Sequence, residues 1–543
     1  MSVPLLLLFG LPAAASDEGL LVVDLIDGTS LAEAQELSGL PLRWANPRSE
    51  DESLAVAEVE DLPEQVQRLS AHPQIEAVEA SLSYQALGWP DDPLYPSQWN
   101  MHTVGAAQGW RMGGGRGVTV AVIDTGVSSV ADLQGTLLLD GFSFVPGRAS
   151  AADDNGHGTH VAGTIAQTTH NGLGAVGLAN QARILPLKAL AAQGGGQSEW
   201  IASAIDEAVD QGADVINLSL GGPRSAVIQV AVDKALARGV LVVAAAGNTG
   251  REGVGWPAKA DGVIAVSATG PSDTLAPYSS WGEGVELSAP GGDKQQAGGG
   301  IVQDTIDAGA EGHAFKELQG TSMASPHVAG AAAVLLGAGA GSAAHTERLL
   351  KQGAVDLGEA GPDSRFGHGR LDLAASARIL VQQRGLLFLA GSLLAALMVG
   401  FGGGSRRLPI AIVAGLSAGG LFFLPLLPLP PSLGLDLLGR PLLAWPTPFV
   451  GPRLAANPLW LSALLPALLT FVLGPTRTLG WLAAGLSAGV GAHLIHGAVT
   501  GSLAPTWLPA SAATAWLGVN GLLCLLFTLA VAGLDRLRRE RRS

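Results

Sequence analysis

VTVAVIDTG, residues 118–126, decides the fold of this chain. Its β-branched and small apolar residues run without polar alternation, the pattern of a parallel strand buried on both faces. Asp124 then falls at the strand's carboxyl end, where open α/β sheets gather their functional groups. Three distant islands answer it: NGHGTHVAG at 155–163, AAAGN at 244–248 and GTSMASPHVAG at 320–330. Together they offer one residue for each task in acyl transfer. Asp124 can orient and charge-stabilise an imidazole, His157 can act as general base and then general acid, and Ser322 can attack a carbonyl. Asn248 adds a neutral amide donor for the oxyanion of a tetrahedral intermediate.

The flanks of each island fit its task. Gly156 and Gly158 bracket His157, and THVAGTIA (159–166) reads as a helix with small residues facing a sheet. Gly320 and Thr321 form a turn into a second helix that AGAAAVLLGA (329–338) continues. A nucleophile at that helix start has backbone N–H groups nearby, so the Ser322 amide can join Asn248 at the oxyanion. Pro326 in the first turns predicts a kink, or a helix whose regular part begins near it.

These motifs, in the order Asp, His, Asn, Ser, resemble the subtilase family of subtilisin-like serine proteases. The resemblance covers roughly residues 90–380 and includes DDPLYPSQWN (91–100), INLSLGG (216–222) and YSSWGEGVELSAPG (278–291). It implies an α/β fold, a subtilisin-like parallel sheet with helices on both faces, and a serine endopeptidase acting on polypeptide. In that family the segments matching Ser219, Leu220, Gly221 and Gly222 and matching Ala244, Ala245, Ala246 and Gly247 pair with extended substrate backbone, a form of β-augmentation. The resemblance also implies structural calcium, with Asp92, Asp132 and Asn171 of TTHNGLGAVG (168–177) at the matching positions. The hydrolytic chemistry itself requires no cofactor.

The 543 residues exceed one domain, and 48% hydrophobic against 14% charged content points to membrane segments. A net charge of −15, with no basic patch before residue 380, argues against nucleic acid as a partner. Cys524 is the sole cysteine, so no disulfide can form within the monomer. Nothing in the sequence sets the oligomeric state.

At the N-terminus, VPLLLLFGLP (3–12) followed by AAAS (13–16) reads as a signal peptide over residues 1–16. Residues 17–88 read as β-α-β-β-α-β, the order of a ferredoxin-like unit. This resembles the inhibitory prodomain of subtilases, whose tail, here 83–88, would fill the substrate groove until self-cleavage between about Tyr84 and Trp89. The catalytic domain is then expected over 89–380.

Residues 385–534 hold five long apolar stretches, at 385–404, 408–430, 458–474, 479–499 and 515–534, read as five transmembrane helices. With the catalytic domain outside, Arg406, Arg407, Arg477 and the basic tail RLRRERR (536–542, within 535–543) fall on the cytoplasmic side. The hexapeptide AGLSAG recurs at 414–419 and 484–489. Each copy matches G-x-S-x-G, and His493 and His496 follow the second. A second hydrolase at Ser417 or Ser487 is therefore one reading, and small-residue helix packing is the preferred one. Two functions follow from the whole: a membrane-anchored processing protease, or a membrane transport or sensing module with the protease domain as accessory.

Overall fold

The computed structural model describes residues 19–81, 90–307, 312–401, 407–427, 435–476 and 479–541. The expected signal peptide and the tail at 83–88 lie outside them. The chain divides into two units, between residues 89 and 90.

The first unit runs β1 (Leu20–Leu25), α1 (Leu31–Ser38), β2 (Arg43–Trp44), β3 (Leu54–Glu58), α2 (Leu62–Leu69) and β4 (Ile75–Ala80). Its antiparallel sheet has the order β2-β3-β1-β4, the arrangement of a split β-α-β unit. Ser30 and Glu33 cap α1 reciprocally. Leu21, Val23 and Leu25 alternate into the core of this unit.

The second unit opens with two short helices, α3 (Trp99–Thr103) and α4 (Ala106–Trp110). Its centre is an eight-stranded parallel sheet. The strands are β5 (Thr119–Asp124), β6 (Leu137–Leu138), β7 (Phe142–Ser143), β8 (Arg183–Lys188), β9 (Val215–Leu218), β10 (Leu241–Ala245), β11 (Ile264–Thr269) and β12 (Val285–Pro290). Their order is β12-β11-β10-β9-β5-β8-β6, with β7 also on β8. All six residues of β5 are buried, as its unbroken apolar run requires. Helices α5 (His157–Ala166), α6 (Ser198–Asp210), α7 (Ala226–Ala237), α8 (Thr321–Ala338) and α9 (Ala343–Gly353) cover the sheet. Two separate cores, one on each face, show that it is doubly wound. A hairpin of β13 (Ile301–Ile306) and β14 (His313–Leu318) packs on α5.

Helix α8 is the axis of the unit. Every residue in it except Ser322 is buried. It runs unbroken through Pro326, and the carbonyl that proline leaves without its amide, that of Ser322, accepts the Ser219 hydroxyl at 2.8 Å.

The C-terminal region comprises α10 (Leu373–Phe401), α11 (Arg407–Gly419), α12 (Thr447–Val450), α13 (Pro452–Ala455), α14 (Leu464–Leu473), α15 (Gly480–Thr500) and α16 (Ala510–Glu540). Three helices, within α10, α15 and α16, are long and apolar enough to cross a membrane. The other two expected spans fold as shorter apolar helices. Segment 408–430 supplies α11 (13 residues), ending in a 3₁₀ turn at Leu424–Leu426, and segment 458–474 supplies α14 (10 residues). At 1.5 Å per residue these reach about 20 and 15 Å, short of a hydrocarbon core of about 30 Å.

This region is joined to the protease domain rather than tethered to it. Leu373, Ala377, Leu380 and Val381 at the start of α10 belong to the main core. Two arginines close the far end of α8. Arg440, 1% exposed, donates to the Gly337 carbonyl and pairs with Asp436 at 2.5 Å. Arg384, 3% exposed, donates to the Ala338 carbonyl. Cations at a helix C-terminus satisfy carbonyls that have no partner of their own. Ser322 sits at the opposite end, roughly 25 Å away along the helix. The site therefore faces away from the apolar helices.

Candidate active site

The triad residues arrive on three different elements. Asp124 ends β5 and is fully buried, and His157 opens α5. Asp124 Oδ1 meets His157 Nδ1 at 2.7 Å and also accepts the Thr125 amide at 2.7 Å. This closeness depends on Gly158, where a Cβ would lie 2.1 Å from the Gly126 carbonyl and 3.1 Å from Asp124 Cβ. Burial pushes the His157 imidazole down, but the charge and hydrogen bond of Asp124, helped by Asp153, carry it above its ordinary value. Ser322 opens α8, and its hydroxyl donates to the Ser219 carbonyl at 3.2 Å. Among the described residues it makes no hydrogen bond to His157, a contact that often tightens only when substrate is bound.

Asn248 is exposed beside Ser322. Its Oδ1 accepts both the amide and the hydroxyl of Thr321, at 2.9 and 3.0 Å. With the carbonyl end committed, Nδ2 is left to donate. Gly320, at φ 153°, turns the chain here, and a Cβ on it would sit 3.4 Å from Nδ2. The arrangement can hold an oxyanion between Nδ2 and the start of α8.

Residues that sequence reasoning passed over hold the triad in place. Asp153 is buried. One of its oxygens takes the Thr125 hydroxyl and the Asn155 and Gly156 amides, and the other takes the Thr159 amide and hydroxyl. It caps the His157 helix and binds it to the turn after Asp124. Its place in DDNGHGTH was the available signal. Lys188, 1% exposed, donates to the Thr125 and Leu190 carbonyls and to Asp154. Ser325 donates to Asn217, and Asn217 donates to Ser219. That chain of bonds ends on the Ser322 carbonyl.

The groove residues divide. Ser219, Leu220 and Gly221 leave the end of β9, and Gly222 pairs with Trp256. Ala244 is paired with Leu218 and Ala265, and Ala245 with Val266, so both lie inside the sheet. Ala246 and Gly247, just past the strand, are left to form a wall.

The expected calcium ligands lie close together, linked by hydrogen bonds. Asp132 Oδ1 accepts Asn171 Nδ2 at 2.7 Å and its Oδ2 accepts the Ala175 amide at 2.9 Å. Asn171 Oδ1 accepts the Leu173 amide. Asp92 Oδ1 is buried without a hydrogen-bond partner among the described residues. Burial holds Asp92 up to about 7 and Asp132 up to about 6. Asp91, Asp92 and His170 do come within 4.8 Å of one another, but that set mixes nitrogen with oxygen.

The AGLSAG copies pack against each other. A Cβ on Gly489 would fall 1.8 Å from Ser417 Oγ and 2.3 Å from the Ala414 carbonyl. Ser417 Oγ donates to the Ala414 carbonyl, Ser487 Oγ meets Thr470, and His493 Nδ1 meets the Ala418 carbonyl. Neither serine is hydrogen-bonded to a histidine among the described residues. The motif is a helix contact.

A buried aspartate, a histidine and a helix-opening serine, met in that chain order on a doubly wound sheet, define a serine hydrolase. The chain belongs to the subtilase family, whose profile matches residues 115–369. It is similar to the alkaline protease of Alkalihalobacillus alcalophilus, 39% identical over 334 residues (61% of this chain, 81% of that protein). It is also similar to subtilisin Savinase of Lederbergia lenta, 41% identical over 266 residues (49% and 92%). Among solved structures, a protease from Pseudoalteromonas arctica PAMC 21717 aligns with a TM-score of 0.50 and 30% identity, covering 53% of this chain and 99% of that one. The protein is a subtilisin-type serine endopeptidase. Residues 372–538 match a domain of unknown function (DUF5942).

Proposed function

We propose that this endopeptidase is membrane-anchored and self-processing, and that Asp124, His157, Ser322 and Asn248 carry its chemistry. The observation that carries the reading is the 2.7 Å Asp124–His157 contact, with Ser322 and the uncommitted Asn248 amide at the head of α8. His157 takes the Ser322 proton as Oγ attacks the peptide carbonyl. Asn248 Nδ2 and the Ser322 amide receive the oxyanion. His157 then protonates the leaving amine, and water, activated in turn by His157, releases the acyl group. Ser219–Gly222, with Ala246 and Gly247, hold the substrate main chain.

The anchoring reading rests on the three long apolar helices and on where the charges fall. Arg538 donates to the Pro475 carbonyl, at the end of the helices away from Arg440 and Arg453, which lie against the protease domain. Arg407 begins α11 at that same distal end. Basic residues collected there suit a cytoplasmic face, with the protease outside. Residues 17–88 serve as the prodomain, cut between about Tyr84 and Trp89. No step is assigned to calcium.

Full-length wild type and Ser322→Ala, purified in detergent, test the proposal. Wild type is expected to release residues 17–88, to react with a serine-directed phosphonate and to cut an unstructured peptide, while Ser322→Ala does none of these. Asn248→Ala is expected to lower kcat by about 10²–10³-fold, the scale known from subtilisin. An uncut, unlabelled wild type overturns the reading.

A further inference from the structure

A cavity of about 1010 Å³ lies between the base of the protease domain and the apolar helices. Thr119 and Arg183, the first residues of β5 and β8, line it, with Asp214 just ahead of β9. It thus sits at the opposite end of the strands from Asp124. Its other wall comes from α12, α13 and the linker from α15 to α16. We propose that this cavity binds one glycerophospholipid, with its phosphate at Arg183 and Arg453 and its acyl chains leaving past Leu454 and Trp507.

Three observations support that occupant. The first is unspent cationic capacity. Arg183 donates one Nη2 bond to the Gly117 carbonyl, at 2.5 Å, while its Nε is buried without a partner. Arg453 uses Nη1 on the Val209 and Ala213 carbonyls, at 3.2 and 3.4 Å, and the rest of its fork makes no hydrogen bond among the described residues, with the Asp214 carboxyl nearby. Guanidinium forks suit phosphate oxygens. Arg238 adds a third cation at the rim; against these three stand two lining carboxylates, Asp210 and Asp214, the second pushed up to about 7 by burial, so a net positive charge remains.

The second is the apolar half of the wall. Leu454 is 56% exposed and Trp507 77% exposed, and Phe449 beside them is 73% exposed. An exposed tryptophan at one end of apolar helices marks the headgroup level of a bilayer, and exposed phenylalanine and leucine beside it suit the acyl region below. The third is size. Inorganic phosphate would leave the apolar wall wetted, whereas a phospholipid covers both halves with one molecule. A lipid held there would seal the joint between a water-exposed domain and its helices. The inference rests on the membrane reading above.

The test uses the full-length protein, washed free of lipid in detergent and then offered phosphatidylethanolamine or phosphatidylglycerol. Native mass spectrometry is expected to show one phospholipid retained per wild-type chain. Arg183→Gln and Arg453→Gln should each weaken retention about tenfold. Ala237→Trp, which fills the cavity from the exposed end of α7, should abolish it. Phosphonate labelling at Ser322 in every variant shows that the fold survives. Equal retention in all variants, a retained peptide, or no retained lipid overturns the site. Release of wild type from membranes by alkaline carbonate instead overturns the membrane reading itself.

Discussion

Pro326 has no amide for the Ser322 carbonyl, and Ser219 Oγ takes up that acceptor at 2.8 Å. The position of the nucleophile's backbone is therefore set by β9 as well as by its own helix. Ser219→Ala should lower kcat by roughly tenfold while KM changes little, a loss on the scale of one hydrogen bond. The effect should shrink in a Pro326→Ala background, where an amide returns to the same carbonyl; steady-state kinetics on the four variants check this. His157 gives the pH dependence. Its proton must be absent for it to act as base, and Asp124 raises its pKa above the ordinary 6.5. kcat/KM should thus climb with pH through a midpoint above 6.5, and Asp124→Asn should move that midpoint down, since burial is then opposed only by the weaker charge effect of Asp153. The imidazolium–Asp124 pair stabilises the fold fully below about 6.5, and that contribution fades as pH rises through the folded-state value. The Asp124–His157 contact and the place of Ser322 at the head of α8 were legible because the islands name one task jointly, although each alone is a common turn, cap or helix start. Asp153 and Lys188 were not, because their partners are assembled by the crossing of β5, α5 and β8.

At the scale of elements, α8 joins the nucleophile to the C-terminal region. Its last carbonyls are closed by Arg384 and Arg440, which lie 46 and 103 residues from the carbonyls they serve. Arg440→Met should cost about 3–5 kcal/mol, because Asp436 is then left with an uncompensated charge. Adding Asp436→Leu should recover part of that loss; denaturant unfolding of the full chain in detergent measures both. Neither arginine could be assigned from sequence. Neither stands in a motif, and the carbonyls they serve lie in a different segment of the chain. The apolar stretches were legible as such, yet hydropathy records composition and not where the backbone turns. Gly420, in the left-handed region at φ 69°, ends α11 early, although the apolar residues run on. The parallel sheet was the easiest element to read, since strands buried on both faces carry near-continuous apolar runs, with polar residues such as Asp124 and Lys188 at their carboxyl ends.

On the scale of the whole molecule, the boundary expected at residue 380 falls inside a single helix. Leu373–Phe401 begins in the protease core and continues as an apolar span. A chain ending at 380 lacks both arginines and the rest of that helix. Its melting temperature and phosphonate labelling should fall well below those of the full chain. A stable and fully reactive 1–380 fragment would contradict this. The clamp on α8 also sets an order of events. Synthesis runs from the N-terminus, so Ser322 is made long before Arg384 and Arg440 arrive. Until the helices behind it are in place, the Ser322 helix has an open end and a half-built core. Full reactivity at Ser322 is then expected only after the C-terminal helices have folded against α8.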